Sequence, residues 1–160
     1  MNHYRYVAVG GKVVPVQDKN VSVLTYSPNR ITVTFDGEVL SNRVKIVPHE
    51  AWVGSYSKNS SEVYVDDDVP QRFRRSMAIH ETVEKYLKER YGLSDLYEGH
   101  EYADEIERRW HLKNLGSMSW ENYSAVVERV HRKEVEHALE NGKPIRERVG
   151  AKLRALGPIE

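Results

Sequence analysis

The sequence predicts an α+β fold in which an antiparallel, β-rich N-terminal half is followed by three to four helices. Residues 1–66 contain short runs of β-branched and aromatic residues separated by turn signals, whereas the chain from 69 onward has the 3.6-residue periodicity of amphipathic helices. A chain of 160 residues is long enough to bury a substantial core. We therefore expect a single domain over 1–160, made of a β-rich part (1–66), a helix pair (69–115) and C-terminal helices (117–160).

The composition narrows the class of protein. Lys plus Arg and Asp plus Glu both number 24, so the net charge does not favour nucleic acid or an acidic membrane as a partner. The absence of cysteine excludes disulfides, thiolate nucleophiles and Cys-ligated zinc. Because no apolar run approaches the roughly 20 residues of a membrane span and no signal peptide is recognisable, we expect a cytoplasmic protein. Dense Glu, Lys and Arg without Cys are also typical of thermophile proteins.

Strand-like runs follow one another through the N-terminal half. The segment Arg30–Phe35 alternates as a half-buried strand does, and Asp36 and Gly37 after it are a favoured hairpin turn. A polar Ser/Lys/Asn loop between 51–56 and 62–65 predicts a second hairpin. The other predicted strands are 4–9, 12–16, 21–26, 39–40 and 43–47.

Helix boundaries follow from capping and breaking residues. The predicted helices are 69–91, 94–114, 120–140 and a short fourth one, 145–156. Pro70 suits the first turn of the first helix, and Gly92 suits its C-terminal end. Ser94 can cap the second helix, and Gly116 with Ser117 should break it.

The apolar stripe of the first helix is interrupted by two polar residues. The stripe, taken at alternating steps of four and three, consists of Phe73, Met77, His80, Glu84, Leu87 and Tyr91. His80 and Glu84 lie one turn apart in its middle. Burying a carboxylate without a partner costs several kcal/mol, so Glu84 requires a cation or strong hydrogen-bond donors. A metal ion is the most economical explanation.

A third polar residue, His100, occupies an apolar position of the second helix. If the turn near Gly92 folds this helix back along the first, His100 lies within about two residues of the level of Glu84, a gap of roughly 3 Å. His80, Glu84 and His100 can then converge on one point. Two imidazoles and one carboxylate, with a fourth position left for water, form a ligand set of catalytic zinc. The same set accepts manganese, iron, cobalt or nickel.

Glu81 is turned about a quarter of the helix circumference away from His80. This position is beside such a metal, where a carboxylate can take a proton from zinc-bound water and pass it to a leaving amine. The alternative is a helix residue that faces solvent. Candidates for stabilising an oxyanion are Tyr97, Tyr102 and His111. Asp104 and Glu107 are candidates for orienting an imidazole, and one of them could instead replace a ligand.

The same residues have an explanation without a metal. Glu84 could be hydrogen-bonded between two imidazoles, or by Arg72 or Arg75. The run from Arg72 to Arg75 could also suggest a nucleic-acid patch. Four residues at the start of a helix in a neutral protein are, however, typical of a solvated face paired with acids, so we predict no nucleic-acid partner.

Two acidic patterns elsewhere invite a metal interpretation. Asp66, Asp67 and Asp68 lack the spacing and the final Glu of a calcium loop, so we interpret them as a charge run that favours the helix after it. The third helix holds two E-x-x-H units, 128–131 and 134–137. Because di-iron bundles need such units on separate helices, we predict surface pairs. The packing side of this helix is predicted to be Val126, Val127, Val130, Val135, Ala138 and Leu139.

The run V-Y-V-D-D-D-V-P-Q-R-F-R-R-S-M-A-I-H-E, residues 63–81, resembles the strand–turn–helix segment of small zincin metallopeptidases. In these an edge strand precedes a helix that carries H-E-x-x-H, and members with a downstream glutamate ligand are called gluzincins. Here the motif is H-E-x-x-E, from His80 to Glu84, followed by His100 instead of a glutamate. The wider pattern Y-x-x-H-x-x-A-x-x-x-E, from Tyr97 to Glu107, also resembles uncharacterised archaeal and phage proteins. The similarity covers about 51–115.

This resemblance implies a zinc-dependent metallohydrolase, and among hydrolases a peptidase, with a peptide or protein substrate. It implies His80, Glu84 and His100 as zinc ligands and Glu81 as the base. It also implies that 51–56 or 62–65 is a rim strand that binds an extended peptide through backbone hydrogen bonds. The alternative is a non-catalytic interaction module whose two helices are held together by a metal or a polar network. In such a module the β-rich half or the C-terminal helices would bind a partner. In the enzyme the C-terminal helices could instead cover the cleft and keep it latent.

Overall fold

The computed structural model of the chain describes residues 19–48, 54–93 and 98–140. Along them a five-stranded sheet precedes three helices, which confirms the α+β prediction. The elements are β1 (Ser22–Ser27), β2 (Arg30–Phe35), β3 (Glu38–Val47), β4 (Gly54–Tyr56), β5 (Glu62–Asp66), α1 (Gln71–Tyr91), α2 (Glu98–Asn114) and α3 (Ser117–Glu140). The predicted strands 4–9 and 12–16, the fourth helix 145–156 and Tyr97 lie outside the described residues.

The sheet has the strand order β1-β2-β3-β5-β4. Three of its four pairings are antiparallel, and the pairing of β3 with β5 is parallel. The two predicted hairpins are present: β2 and β3 are joined through Asp36 and Gly37, whose φ angles of 54° and 74° suit a type I′ turn. β4 and β5 form the second hairpin. The two short strands predicted at 39–40 and 43–47 form one continuous strand, β3.

One face of the sheet packs on α1. In β2 the alternation predicted from the sequence buries Ile31, Val33 and Phe35 on this face. The turn after β2 is tied to the C-terminal end of α1, because the hydroxyls of Tyr86 and Tyr91 both donate to the Asp36 carboxylate. The position of α1 relative to the sheet is therefore set by apolar packing and by these two hydrogen bonds.

The buried surface of α1 is wider than the predicted stripe. The stripe is confirmed at its first five positions, while Tyr91 is half-buried. Further buried residues of α1 are Ser76, Ala78, Ile79, Glu81, Thr82, Val83 and Lys85. The helix lies between the sheet and α2, which buries it on almost every side. It ends at Gly92 as predicted, with a φ of 69° and an N–H that donates to the Lys88 carbonyl at 2.9 Å.

The second and third helices complete the core. α2 ends at Asn114 as predicted, and Gly116 has a φ of 91°. α3 begins at Ser117, earlier than predicted, because Gly116 alone provides the turn. Of the predicted packing side of α3, Val126, Val130 and Val135 are buried and Leu139 is exposed. None of the described helices has the length and apolar character needed to cross a bilayer.

Candidate metal centre

Three side-chain atoms from two helices meet at one point. The Nε2 of His80 lies 3.0 Å from the Oε2 of Glu84 and 3.2 Å from the Nδ1 of His100. The same Glu84 oxygen is 3.8 Å from the Nδ1 of His100. α1 supplies two of these residues one turn apart, and α2 supplies the third. The structure therefore brings together the three residues that the sequence predicted as ligands.

The spacing of these atoms suits a tetrahedrally coordinated ion. Ligand atoms about 2.0–2.1 Å from a zinc ion lie roughly 3.3 Å from one another at tetrahedral angles, and the three separations here are 3.0, 3.2 and 3.8 Å. Without a cation, a hydrogen on the Nε2 of His80 can point at Glu84 or at His100 but not at both. A cation at the centre would be coordinated by all three atoms. The residues present therefore fit a divalent ion.

The other ring nitrogen of His80 is held by carboxylates. Its Nδ1 lies 3.2 Å from the Oε1 of Glu107 and 3.2 Å from the Oδ1 of Asp104. An imidazole that donates from one nitrogen to a carboxylate presents the lone pair of the other nitrogen to a metal. Asp104 also contacts His100, with 3.3 Å between Oδ2 and Nε2. Asp104 and Glu107 thus lie where carboxylates that orient an imidazole were predicted.

In the metal-free protein, the surroundings of His80 and Glu107 favour their protonated forms. Burial acts to lower the pKa of His80, but hydrogen bonds to Asp104, Glu107 and Glu84 outweigh it and raise this pKa well above its usual value. Burial raises the pKa of Glu107 to about 7 against the opposing effect of His80. Burial also acts to raise the pKa of Asp104, but the charges of His100 and His80 lower it. A metal that binds through His80 must therefore displace a proton.

Glu81 points at the same centre. It is fully buried, and its Oε2 lies 3.8 Å from the Nε2 of His80, so the alternative of a solvent-facing residue is excluded. Strand β4 closes over it: a Cβ at Gly54 would lie 3.0 Å from the Cγ of Glu81 and 2.7 Å from the Sδ of Met77. Only a glycine lets the strand come this close. The name His80 cluster is used below for His80, Glu81, Glu84, His100, Asp104 and Glu107.

Solvent reaches the His80 cluster from the side of α2. The side chains of His100 and Asp104 keep 22% and 34% of their exposure, whereas His80 and Glu84 are buried. A small molecule that approaches the cluster would therefore meet the two residues of α2 first.

The residues predicted to stabilise an oxyanion are placed differently from one another. Tyr102 is buried on α2, and Tyr97 lies outside the described residues. His111 is fully buried, and burial lowers its pKa to about 4, which keeps the imidazole neutral. The aromatic rings around it are those of Trp110, Trp120 and Tyr123. The surroundings of His111 are thus those of a core histidine.

The arginines proposed as partners of Glu84 contact aromatic rings. The guanidinium of Arg72 lies 4.7 Å from the ring centre of Phe73, and that of Arg75 lies 4.9 Å from the ring centre of Trp110. Arg74 donates to the backbone carbonyls of residues 69 and 67. These contacts explain the basic run as part of the packing at the start of α1.

A second group of carboxylates lies at the junction of α3 with the turn before α1. Oxygens of Asp66, Asp68 and Glu134 lie within 4.8 Å of one another, and we call these three residues the Glu134 cluster. Asp66, Glu134 and His131 are buried. The prediction that the E-x-x-H units of α3 form surface pairs is therefore wrong for His131 and Glu134. The packing stripe of α3 includes both residues, and a carboxylate in an apolar stripe was the signal that could have revealed it.

Comparisons of this chain with protein-family models, curated proteins and solved structures find no match. The resemblance to zincin metallopeptidases therefore stays a prediction.

Proposed function

We propose that this protein is a divalent-metal-dependent hydrolase in which His80, Glu84 and His100 hold the ion. The observation that carries the proposal is the convergence of three ligand atoms from α1 and α2, separated by 3.0, 3.2 and 3.8 Å. We propose zinc because two imidazoles and one carboxylate are among its usual ligands. A cytoplasmic location is part of the same proposal.

The residues around the proposed ligands support a separate role in catalysis for each of them. A divalent ion bound here would supply Lewis acidity, which polarises a carbonyl and acidifies water. Glu81 would accept a proton from the attacking water and deliver it to the leaving group, as general base and then general acid. Glu107 and Asp104 would keep a proton on the Nδ1 of His80, so that its Nε2 faces the ion.

A peptide is the substrate class we propose within this function. Of the two segments expected to form a rim, β4 is the outermost strand among the described parts of the sheet, while β5 pairs on both sides. Gly54 of β4 also lies against Glu81. An extended peptide that pairs with the outer edge of β4 would run beside the proposed base.

A second candidate is a non-catalytic module in which the His80 cluster only holds α1 and α2 together. The burial of Glu81, Glu84 and His80 favours it, because a structural site needs no open path for substrate. This module would be held together by a metal or by the polar network alone. In its metal-bound form it shares the ion with the hydrolase and differs from it in the role of Glu81.

The test of the metal site is elemental analysis of the purified protein, followed by thermal unfolding before and after chelation. We expect one equivalent of metal per chain, and a loss of about 4 kcal/mol of stability on its removal if the ion is present at 1,000 times its dissociation constant. For a chain of this size that corresponds to a fall in melting temperature of roughly 10 °C.

His80→Ala should remove the bound metal. His137→Ala, on α3 and outside the His80 cluster, is the matched control and should retain it. The protein could also remain metal-free when prepared with added metal, with a melting temperature that the chelator does not change. That result would contradict the hydrolase and the metal-bound module. The polar network would then be the remaining explanation of the His80 cluster.

A further inference from the structure

The Glu134 cluster joins two parts of the fold that are distant in the sequence. Asp66 ends β5, Asp68 lies in the turn that leads into α1, and Glu134 lies in the second half of α3. Their carboxylate oxygens lie within 4.8 Å of one another, and Asp66 and Glu134 are fully buried. Three carboxylates thus meet where α3 contacts this turn.

The turn fixes the two aspartates beside each other. The backbone N–H of Asp68 donates to the Oδ1 of Asp66 at 2.7 Å. The guanidinium of Arg74, in the first turns of α1, donates to backbone carbonyls of the same turn. The acidic pair is therefore a rigid feature of the turn, and Glu134 is brought to it by the packing of α3.

The charges that face Glu134 are unequal. From the turn and β5 come Asp68 and Asp66, and from α3 itself comes Lys133, whose Nζ lies 3.1 Å from Asp68 but whose side chain is 63% exposed. His131, three residues before Glu134 on α3, is also a buried titratable group. An exposed lysine is screened by water and balances three carboxylates poorly.

Three close carboxylates with two buried members cannot all be ionised at low cost. Burial raises the pKa of Glu134 to about 8, helped by a hydrogen bond to Asp68 and by the charges of Asp66 and Asp68. Near neutral pH Glu134 is therefore a neutral acid, and its O–H can be donated to an aspartate.

We propose that the Glu134 cluster is a proton-dependent latch. A proton shared between Glu134 and Asp68 holds the second half of α3 against the turn before α1, and loss of that proton in alkaline solution loosens this part of the helix. The first half of α3 stays attached, because Tyr123 packs on Phe73 and His111 with ring-centre distances of 5.5 and 4.8 Å. The latch is independent of the function proposed for the His80 cluster.

The sign of the effect follows from the raised pKa. A carboxyl group whose pKa is higher in the folded than in the unfolded protein stabilises the fold fully below its unfolded pKa, about 4.3. This contribution is lost as pH rises through the folded value of about 8. A glutamine at position 134 keeps the shape and an N–H donor without titrating.

The experiment compares the melting temperatures of the wild-type chain and Glu134→Gln from pH 5 to pH 9. We expect equal melting temperatures at pH 5 and a variant about 5 °C more stable at pH 9. At pH 9 the amides in the second half of α3 should exchange faster in the wild type than in Glu134→Gln, whereas at pH 5 the two should exchange alike. Glu136→Gln, an exposed residue two positions further on, is the control and should follow the wild type. Wild-type and Glu134→Gln curves that stay parallel over this range would overturn the latch.

Two further measurements test the latch. If Glu134→Gln does not fold, Asp68→Asn should move the alkaline loss of stability about one pH unit lower, because it removes one like charge. An unmoved transition would overturn the proposal. Millimolar Mg²⁺ at pH 9 should affect the wild type and Glu134→Gln equally. If Mg²⁺ stabilises only the wild type, the cluster binds a cation instead of a proton and the latch is wrong.

Discussion

The His80 cluster and the Glu134 cluster are both buried and acidic, and they differ in whether they contain histidine. The His80 cluster mixes carboxylates with two imidazoles, which can be neutral and still offer a lone pair. The Glu134 cluster has carboxylates alone within its 4.8 Å group. Both solve the problem of buried negative charge. The first geometry suits a metal ion, and the second suits a proton.

The two clusters also differ in how their members are exposed to solvent. In the His80 cluster two members of α2 keep part of their exposure to solvent. In the Glu134 cluster the partly exposed member is Asp68, and its carboxylate forms a salt bridge with Lys133. A site that exchanges molecules with solvent and a contact that holds two elements together thus use similar residues in different surroundings.

The largest effect is expected for Glu81→Gln. Loss of the base should lower the turnover of fluorescently labelled casein about 100- to 10,000-fold, while metal content stays at the wild-type level. Glu89→Gln, at an exposed position of the same helix, serves as the control. Unaltered turnover at equal metal content would remove Glu81 from the chemistry, and absence of turnover in the wild type would favour the structural candidate.

Glu107→Gln should weaken metal binding without abolishing it. Glu107 touches the Nδ1 of His80, and loss of such a carboxylate partner typically costs 10- to 100-fold in metal affinity. Competition with a chromophoric chelator would measure this change. Glu105→Gln is a matched control, since Glu105 is equally buried on α2 but pairs with Arg108. If both variants bind metal as the wild type does, Glu107 does not orient His80.

The smallest effect is expected for Lys133→Met. The positive charge of Lys133 lowers the pKa of Glu134, so its removal should move the alkaline loss of stability upward by a few tenths of a pH unit. Melting temperatures at closely spaced pH values from 7 to 9 would resolve the change. A downward movement would mean that Lys133 does not act on Glu134 through its charge.

The His80 cluster was predictable because its signals are local. Two polar residues interrupt the stripe of one helix, and His100 interrupts the next. The rise of 1.5 Å per residue and the short connection after Gly92 place them at nearly the same height. The observed contact of His100 with both His80 and Glu84 agrees with that estimate. The burial of Glu81 depends on β4, which helix periodicity does not describe.

The Glu134 cluster was not predicted because its members come from parts of the sequence that only the tertiary structure brings together. Glu134 lies in the packing stripe of α3, but its neighbours come from the end of β5 and the turn after it. No spacing within the sequence joins positions so far apart. The parallel pairing of β3 with β5 was missed for the same reason, since hairpin signals identify only antiparallel neighbours.

That parallel pair has a consequence for the order in which the chain folds. β1, β2 and β3 are joined by tight turns, whereas the pairing of Arg43 in β3 with Glu62 in β5 closes a much longer loop of the chain. Closing a long loop costs entropy before any contact compensates it. We expect the three-strand meander to gain protection before β5 in pulse-labelled amide exchange during refolding, and earlier protection of β5 would contradict this order. β4 pairs with β5 and packs on Glu81 through Gly54, so this side of the His80 cluster would be completed late.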